Sequence, residues 1–318
     1  MRYDCAPMEG VTGVVFRQVH HRHFPGVDQY HAPFLSPTKD HVFTHRERRE
    51  IGREANTGIP VVPQLLTRRA EDFLWAAEAL FDLGYPQVEL NLGCPSGTVT
   101  AKGKGSGFLR DREGLEAFLD EVFAKVTGPV SIKTRLGLED PEEFWPLLAL
   151  YGCYPLAELI LHPRVRADQY RHPVRREVLP RVLEEWKRPL CYNGDLDTPA
   201  DIAALERDWP QIGAVMLGRG LAADPALIRA RKGGPPLERA ELRSFVDDLY
   251  DGYSAAFGSR RSAMSRMKEL WAYLLCRFGD HEKAAKRLRK ARDTAEYEET
   301  VARIFGELPL LPETRPEW

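Results

Sequence analysis

Val88-Glu89-Leu90-Asn91-Leu92-Gly93-Cys94-Pro95 is an apolar, strand-like run that stops in a tight turn. A second glycine-rich run follows, Lys102-Gly103-Lys104-Gly105-Ser106-Gly107. Pro95 ends the strand because it has no N–H to give the ladder. The glycines allow backbone to approach a ligand closely. An arbitrary free cysteine is most often a small buried apolar residue. A cysteine in a turn just past a strand, between an asparagine and a glycine loop, is instead well placed for chemistry.

Outward from this run, similar short apolar or β-branched runs recur at 3–7, 28–34, 59–66, 87–93, 130–136, 156–162, 190–193 and 214–218. Helical patterns lie between them. In 69–83 the pairs Phe73-Leu74, Ala76-Ala77 and Leu80-Phe81 follow the spacing of an amphipathic helix, and 113–125 reads as another. Strands alternating with helices argue for a parallel sheet. Eight such units match a (β/α)8 barrel in count and size. An open doubly wound sheet fits less well, because no Gly-x-Gly-x-x-Gly turn follows the first run.

The pattern changes after Gly233-Gly234-Pro235-Pro236, which reads as a boundary. The sequence therefore predicts an α/β fold: a catalytic (β/α)8 TIM barrel over 1–236 and a C-terminal helical bundle domain over 237–318. Helices are expected at 242–253, 263–277 and 283–305. From 259 to 292 there are eleven Lys and Arg against three acids, with Trp271, Tyr273 and Phe278 interleaved. Such a stretch is either a solvated helix face over a core stripe or a patch for a phosphate backbone. Both readings stand on the sequence.

The remaining bounds are broad. The 318 residues are 43% hydrophobic, enough for one large domain and a smaller one. A net charge of −2 excludes a general polycation, so any nucleic-acid contact is local. Five scattered cysteines without a Cys-x-x-Cys pair argue against a zinc or iron–sulfur site and for a reducing compartment. Cys5, Cys153, Cys191 and Cys276 read as structural. No stretch approaches the ~18 apolar residues of a membrane span, and the first residues lack the apolar core of a signal peptide. The expectation is a cytoplasmic monomer that holds no metal.

In a barrel, function gathers at the C-terminal ends of the strands. Gln64, Asn91 with Cys94, Lys133 with Arg135, and His162 with Arg164 fall at or near such ends, as do Asn193-Gly194-Asp195 and Gly218-Arg219-Gly220. The last two are glycine turns after the seventh and eighth runs, where barrels frequently bind phosphate; Arg219 would supply charge. A lysine pointing into a barrel must meet an anion or shift its pKa. A phosphate-bearing ligand with an electron-rich ring, touched by Lys133, Gln64 and His162, suits flavin mononucleotide (FMN).

Together these motifs resemble the tRNA-dihydrouridine synthases, flavin-dependent (β/α)8 enzymes with a helical C-terminal domain. Ala6-Pro7-Met8-Glu9-Gly10-Val11-Thr12 resembles the family's flavin-contacting start, and Asn91-x-Gly93-Cys94-Pro95 with Gly103-x-Gly105-Ser106-Gly107 its signature loop. Lys133-Thr134-Arg135-x-Gly137, Asn193-Gly194-Asp195 and Met216-x-Gly218-Arg219-Gly220 match in order. The resemblance covers essentially the whole chain. It implies that NADPH or NADH reduces bound FMN, that hydride passes to the double bond of a tRNA uridine, and that Cys94 protonates the neighbouring carbon. It further implies that Ala6, Pro7, Met8, Gln64, Lys133, His162, Asn193, Gly194, Asp195, Gly218 and Arg219 hold the cofactor, and Asn91, Arg135 and Arg164 the uridine. The base would be flipped from its stack to enter.

This chain departs from the family pattern in two loops. Gly137-Leu138-Glu139-Asp140 lacks the usual tryptophan, and Pro163-Arg164-Val165 stands where the family has Gly-Arg-Thr. The Gly-x-Ala-x-Trp stretch expected after Gln169 and Tyr170 is also absent. Both loops lie on the substrate side. The competing expectation is an FMN barrel that reduces a free small molecule, like a dihydroorotate dehydrogenase or an old yellow enzyme. Such an enzyme has no need of the basic tail.

Overall fold

A computed structural model describes residues 1–313 and 316. Residues 314, 315, 317 and 318 of the expected tail lie outside the described residues. Nine parallel strands form one sheet: β1 (Arg2–Cys5), β2 (Gln29–His31), β3 (Val61–Val62), β4 (Gln64–Leu65), β5 (Val88–Leu92), β6 (Val130–Gly137), β7 (Leu159–Val165), β8 (Leu190–Asn193) and β9 (Ala214–Leu217). The order is β3-β2-β1-β9-β8-β7-β6-β5-β4. The first and last members are consecutive in the chain and separated by Pro63 alone. They are halves of one stave, broken because proline cannot donate to the ladder. The Pro63 carbonyl still accepts from Glu89 N at 2.9 Å, and a parallel bridge joins Leu35 to Leu65. The nine segments are thus eight staves, as the eight sequence runs predict.

Side chains alternate inward and outward along each strand. Val88, Leu90 and Leu92 of β5 face the helices and join the main core, as do Val130 and Ile132 of β6. A small second core, Ala6, Ile160, Cys191, Ala214 and Met216, fills part of the interior. Charged residues occupy other inward positions, which decides the chemistry below. Along β6 the register shifts between Arg135 and Gly137. Bulges of this kind re-aim a side chain, and Arg135 is fully buried.

Among the described residues the tail is built of helices, with one difference from the expected three. The stretch 283–305 is two helices, Glu282–Lys290 and Thr294–Glu307, preceded by Arg239–Phe257 and Arg260–Leu274. Asp293 explains the break: its side chain accepts from Glu296 N and starts a new helix. Trp271 and Phe278 are buried in the tail's core, so these two aromatics of the basic stretch are packing residues. The charged part is on the surface: Arg260, Arg261, Lys283, Lys286, Arg287, Arg289, Lys290 and Arg292 are exposed. Arg266 and Lys268 are half-buried, and Arg277 is buried in an ion pair with Asp224 of the barrel region at 3.2 Å.

The tail does not hang from the barrel by a linker. Helix Arg239–Phe257 packs along Val14–His23, and Gly252 permits the approach, since a Cβ there would stand 2.9 Å from Val15. Phe245 meets Phe16 at 6.1 Å and Phe24 at 5.2 Å between ring centroids, both edge-on. Arg49 Nη1 donates to the Ala256 carbonyl at 2.8 Å. Residues of both regions share one hydrophobic core. Among the described residues no helix is long and apolar enough to cross a membrane.

Because Phe245 is fully buried at this junction, Phe245→Ala should cost about 3–5 kcal/mol, as large aromatic truncations in cores do. Urea unfolding should show barrel and tail melting together at a lower midpoint. A loss below about 1 kcal/mol, the size of a surface effect, would mean that the tail packs on its own.

Candidate active site

One cavity of about 800 Å³ opens at the C-terminal ends of the strands. Every residue singled out from the sequence lines it. Ala6, Pro7 and Met8 come from the loop after β1, Gln64 from β4, and Asn91 and Cys94 from the end of β5. Lys133 and Arg135 come from β6, His162 and Arg164 from β7. Asn193, Gly194 and Asp195 follow β8, and Gly218 and Arg219 follow β9.

The cysteine loop is held from both sides. Asn91 Oδ1 accepts from Gly93 N at 3.1 Å and from Cys94 N at 2.9 Å. The Cys94 carbonyl accepts from Ser106 N at 3.1 Å and from the Ser106 hydroxyl at 2.8 Å. Gly105 is required between them: its φ is +57°, and a Cβ would lie 2.9 Å from the Cys94 carbonyl oxygen. Burial pushes the Cys94 thiol above its ordinary value, outweighing the lowering pull of the Ser96 backbone, Arg135 and Lys133. The sulfur therefore carries its proton at neutral pH.

Arg135 also holds the loops around it. Its Nε donates to the Gly93 carbonyl at 2.8 Å, and its Nη1 donates to the carbonyls of Val165 and Gln169 at 3.2 and 3.0 Å. It braces the cysteine loop against the loop after β7. Its guanidinium also lies 5.1 Å from the ring centre of Tyr170.

The positive side of the cavity is organised around Asp195. That carboxylate accepts from Arg164 at 2.7 Å and from Arg219 at 2.9 Å. Arg164 Nη1 also donates to His162 Nε2 at 2.9 Å. A guanidinium only donates, so Nε2 is the acceptor and the proton sits on Nδ1. Burial, then Arg135, Lys133, Arg164 and Arg219, hold the His162 pKa well below its ordinary value, and the ring is neutral. Burial also pulls the Lys133 ammonium down to about 8, with the Glu89 carboxylate opposing.

The two final turns touch backbone to backbone. Asn193 Nδ2 donates to the Met216 carbonyl at 2.8 Å. At Gly220 a Cβ would fall 2.2 Å from the Leu196 carbonyl oxygen, so only glycine fits.

Several lining residues were not marked by sequence reasoning. Tyr170 stands between two guanidiniums, with Arg219 5.3 Å from its ring centre. Ala272 and Tyr273 reach the cavity from the tail helix Arg260–Leu274. Below the cavity floor, Glu89 and His31 are fully buried. The signal for Glu89 was present: it is an acid inside a strand-like run, as Lys133 is a base inside one. Asp4, Glu158 and Cys191 cluster closely enough to hold a cation, but the Arg2 guanidinium already bridges Asp4 and Glu158, at 2.8 and 2.5 Å.

Comparison with known proteins places this geometry. The dihydrouridine synthase (Dus) family matches residues 4–302. The chain belongs to the dihydrouridine synthase family. It is 29% identical to the tRNA-dihydrouridine(16) synthase of Pseudomonas putida over 96% of this chain and 97% of that one. It is 34% identical to the probable tRNA-dihydrouridine synthase 1 of Synechocystis sp., over 70% of this chain and 62% of that one. The probable tRNA-dihydrouridine synthase 2 of Bacillus subtilis is 30% identical over 79% of each. Among solved structures, morphinone reductase superposes with a TM-score of 0.53 at 18% identity, over 75% of this chain and 87% of that one. The old yellow enzyme homologue from Zymomonas mobilis gives 0.52 at 12% identity, over 74% and 90%. These two share the barrel fold.

The raised thiol pKa has a direct consequence for this dihydrouridine synthase family member. Alkylation of Cys94, followed by peptide mass spectrometry to separate it from the exposed Cys153, should be slow at neutral pH and rise through an inflection above pH 9.0. An inflection below that value would mean that the cationic neighbours, and not burial, control the thiol.

Proposed function

We propose that the protein is a tRNA-dihydrouridine synthase that uses FMN and NADPH or NADH to reduce a uridine of tRNA to 5,6-dihydrouridine. The observation that carries this reading is the placement of a protonated thiol, Cys94, on a braced loop at the mouth of a barrel lined by Lys133, Gln64 and His162.

The residues present suit FMN. The cavity volume is in the range of cofactor sites, about 300–1,000 Å³. Gly194, Gly218 and Gly220 leave backbone bare beside Asn193 and Arg219, on the side where barrels take up phosphate. Arg164, Arg219 and Lys133 set three cations against Asp195, a positive balance for an anion. Gln64, Lys133 and the Nδ1–H of His162 offer polar contacts to the ring, and Ala6, Pro7 and Met8 offer an apolar edge. Bound FMN would relay a hydride from the nicotinamide to the uracil double bond.

The chain's own part is positioning and one proton. Cys94 Sγ holds the proton that goes to the carbon next to the one receiving hydride. A thiol above its usual pKa is fully charged with that proton at neutral pH, and a positioned acid of this kind contributes about 10²–10⁴ in rate. Asn91 and Ser106 keep the sulfur in place, which is where most of such an effect originates. Lys133 and Arg135 surround the site with positive charge, which favours electron density arriving on the uracil ring and its carbonyl oxygens.

The helical region 237–318 supports RNA as substrate. The tail that carries the exposed cations of Glu282–Lys290 also supplies Tyr273 to the cavity wall. A basic surface of this kind binds phosphates in a salt-dependent way, and Tyr170 and Tyr273 are suited to hold a flipped base. Both features are superfluous for a small free substrate.

Purified protein incubated with FMN, NADPH and tRNA lacking dihydrouridine should add two mass units to a uridine, read by nucleoside mass spectrometry. Oxidation of NADPH with flavin bound, no mass gain in tRNA and turnover of a small enone or pyrimidine would instead support the small-molecule reading.

A further inference from the structure

Beneath the cavity a single line of hydrogen bonds runs from the barrel floor to Cys94. Glu89 accepts from Gln64 Nε2. Gln64 Oε1 accepts from Asn91 Nδ2 at 2.7 Å. Asn91 Oδ1 accepts from the N–H groups of Gly93 and Cys94. All three side chains are buried.

The polarity of this line is dictated at its ends. Backbone N–H groups can only donate, and an ionised carboxylate can only accept. Between them each amide has one permitted orientation. Should Gln64 flip, its oxygen would face the Glu89 carboxylate and its NH2 would face the NH2 of Asn91. Asn91 would then lose its partner or turn its own NH2 toward the Cys94 N–H. A cation faces Glu89 from below. His31 Nδ1 lies 2.9 Å from the second Glu89 oxygen, and His31 Nε2 lies 3.7 Å from Asp4. Burial by itself would lower the His31 pKa, but Glu89 and Asp4 raise it to about 10.

We infer that Glu89 is a positioning residue for the proton donor, acting through Gln64 and Asn91 to fix the seat of Cys94. The inference rests on the reading of Cys94 as the acid. A buried carboxylate at this place also has a second, purely electrostatic use, as countercharge to Lys133 and His31. Two conservative variants separate the roles. Glu89→Gln removes the charge but keeps an oxygen at the right reach to accept from Gln64. Glu89→Asp keeps the charge but draws the oxygens back by one methylene, about 1.5 Å, too far for a hydrogen bond.

The experiment uses full-length holoenzyme, reduced beforehand with dithionite so that the nicotinamide step is bypassed, and follows a single turnover on tRNA. If Glu89 positions the acid, Glu89→Asp should be slower than wild type by about 10²-fold, the usual effect of an ångström-scale misplacement. Glu89→Gln should be at least tenfold faster than Glu89→Asp. The opposite order, or wild-type rate in Glu89→Asp, overturns the inference. Flavin content and melting temperature, measured on both variants, report folding. Peptide-resolved alkylation of Cys94 reads the seat without reference to turnover: Glu89→Asp should alkylate faster than Glu89→Gln at the same pH. That arm still decides the inference if Cys94→Ala proves active and the acid reading itself fails.

Discussion

The side-chain oxygen of Asn91 takes two backbone N–H groups, those of Gly93 and Cys94, and that fork is the constraint on which the site depends. It turns the end of β5 into a rigid ledge and leaves the thiol at the cavity mouth. Everything that touches the ledge from outside reinforces it. Ser106 holds the Cys94 carbonyl, Arg135 holds the Gly93 carbonyl, and Gly105 lets the two loop segments meet. A loop left to itself would cost conformational entropy at every turnover. Here that cost is met once, on folding.

The barrel explains why so many charges can be kept close to a reactive thiol. Inside a closed sheet a charge has no water to turn to, so it must find an opposite charge or change protonation. Each case occurs here. His31 is charged between two carboxylates, His162 is neutral beside several cations, and Lys133 is held near the border of protonation. The arginines around Asp195 show the same rule at the rim, where one carboxylate organises two guanidiniums that share a positive surplus. The tail adds Ala272 and Tyr273 to the cavity wall. Because it shares the barrel's core, its charged surface and the pocket keep a fixed relation.

Much of this was legible in the sequence, for identifiable reasons. The eight staves showed as eight apolar runs, because strands buried on both faces are hydrophobic along their length. Even Pro63 left the count intact, since it breaks a stave without ending it. The residues at the strand ends showed because polar side chains stand out at the close of apolar runs. Three things were hidden. The role of Arg135 depends on a bulge that no composition reveals. The part of Tyr273 depends on how the tail docks, a contact between segments far apart in the chain. The break at Asp293 depends on a cap that competes with an otherwise continuous helical pattern. In the basic stretch Trp271 and Phe278 pack the core and most of the cations face solvent, as a solvated helix face over a core stripe requires.

The central claim is that a protonated Cys94 delivers the proton that completes uridine reduction. Its most direct test compares wild type with Cys94→Ala, both loaded with flavin and reduced beforehand, in a single turnover on tRNA lacking dihydrouridine. A loss of about 10²–10⁴ in the rate of dihydrouridine formation, the worth of a positioned acid, with flavin reduction by NADPH unchanged, is the predicted result. A Cys94→Ala enzyme that forms dihydrouridine at the wild-type rate would contradict the account.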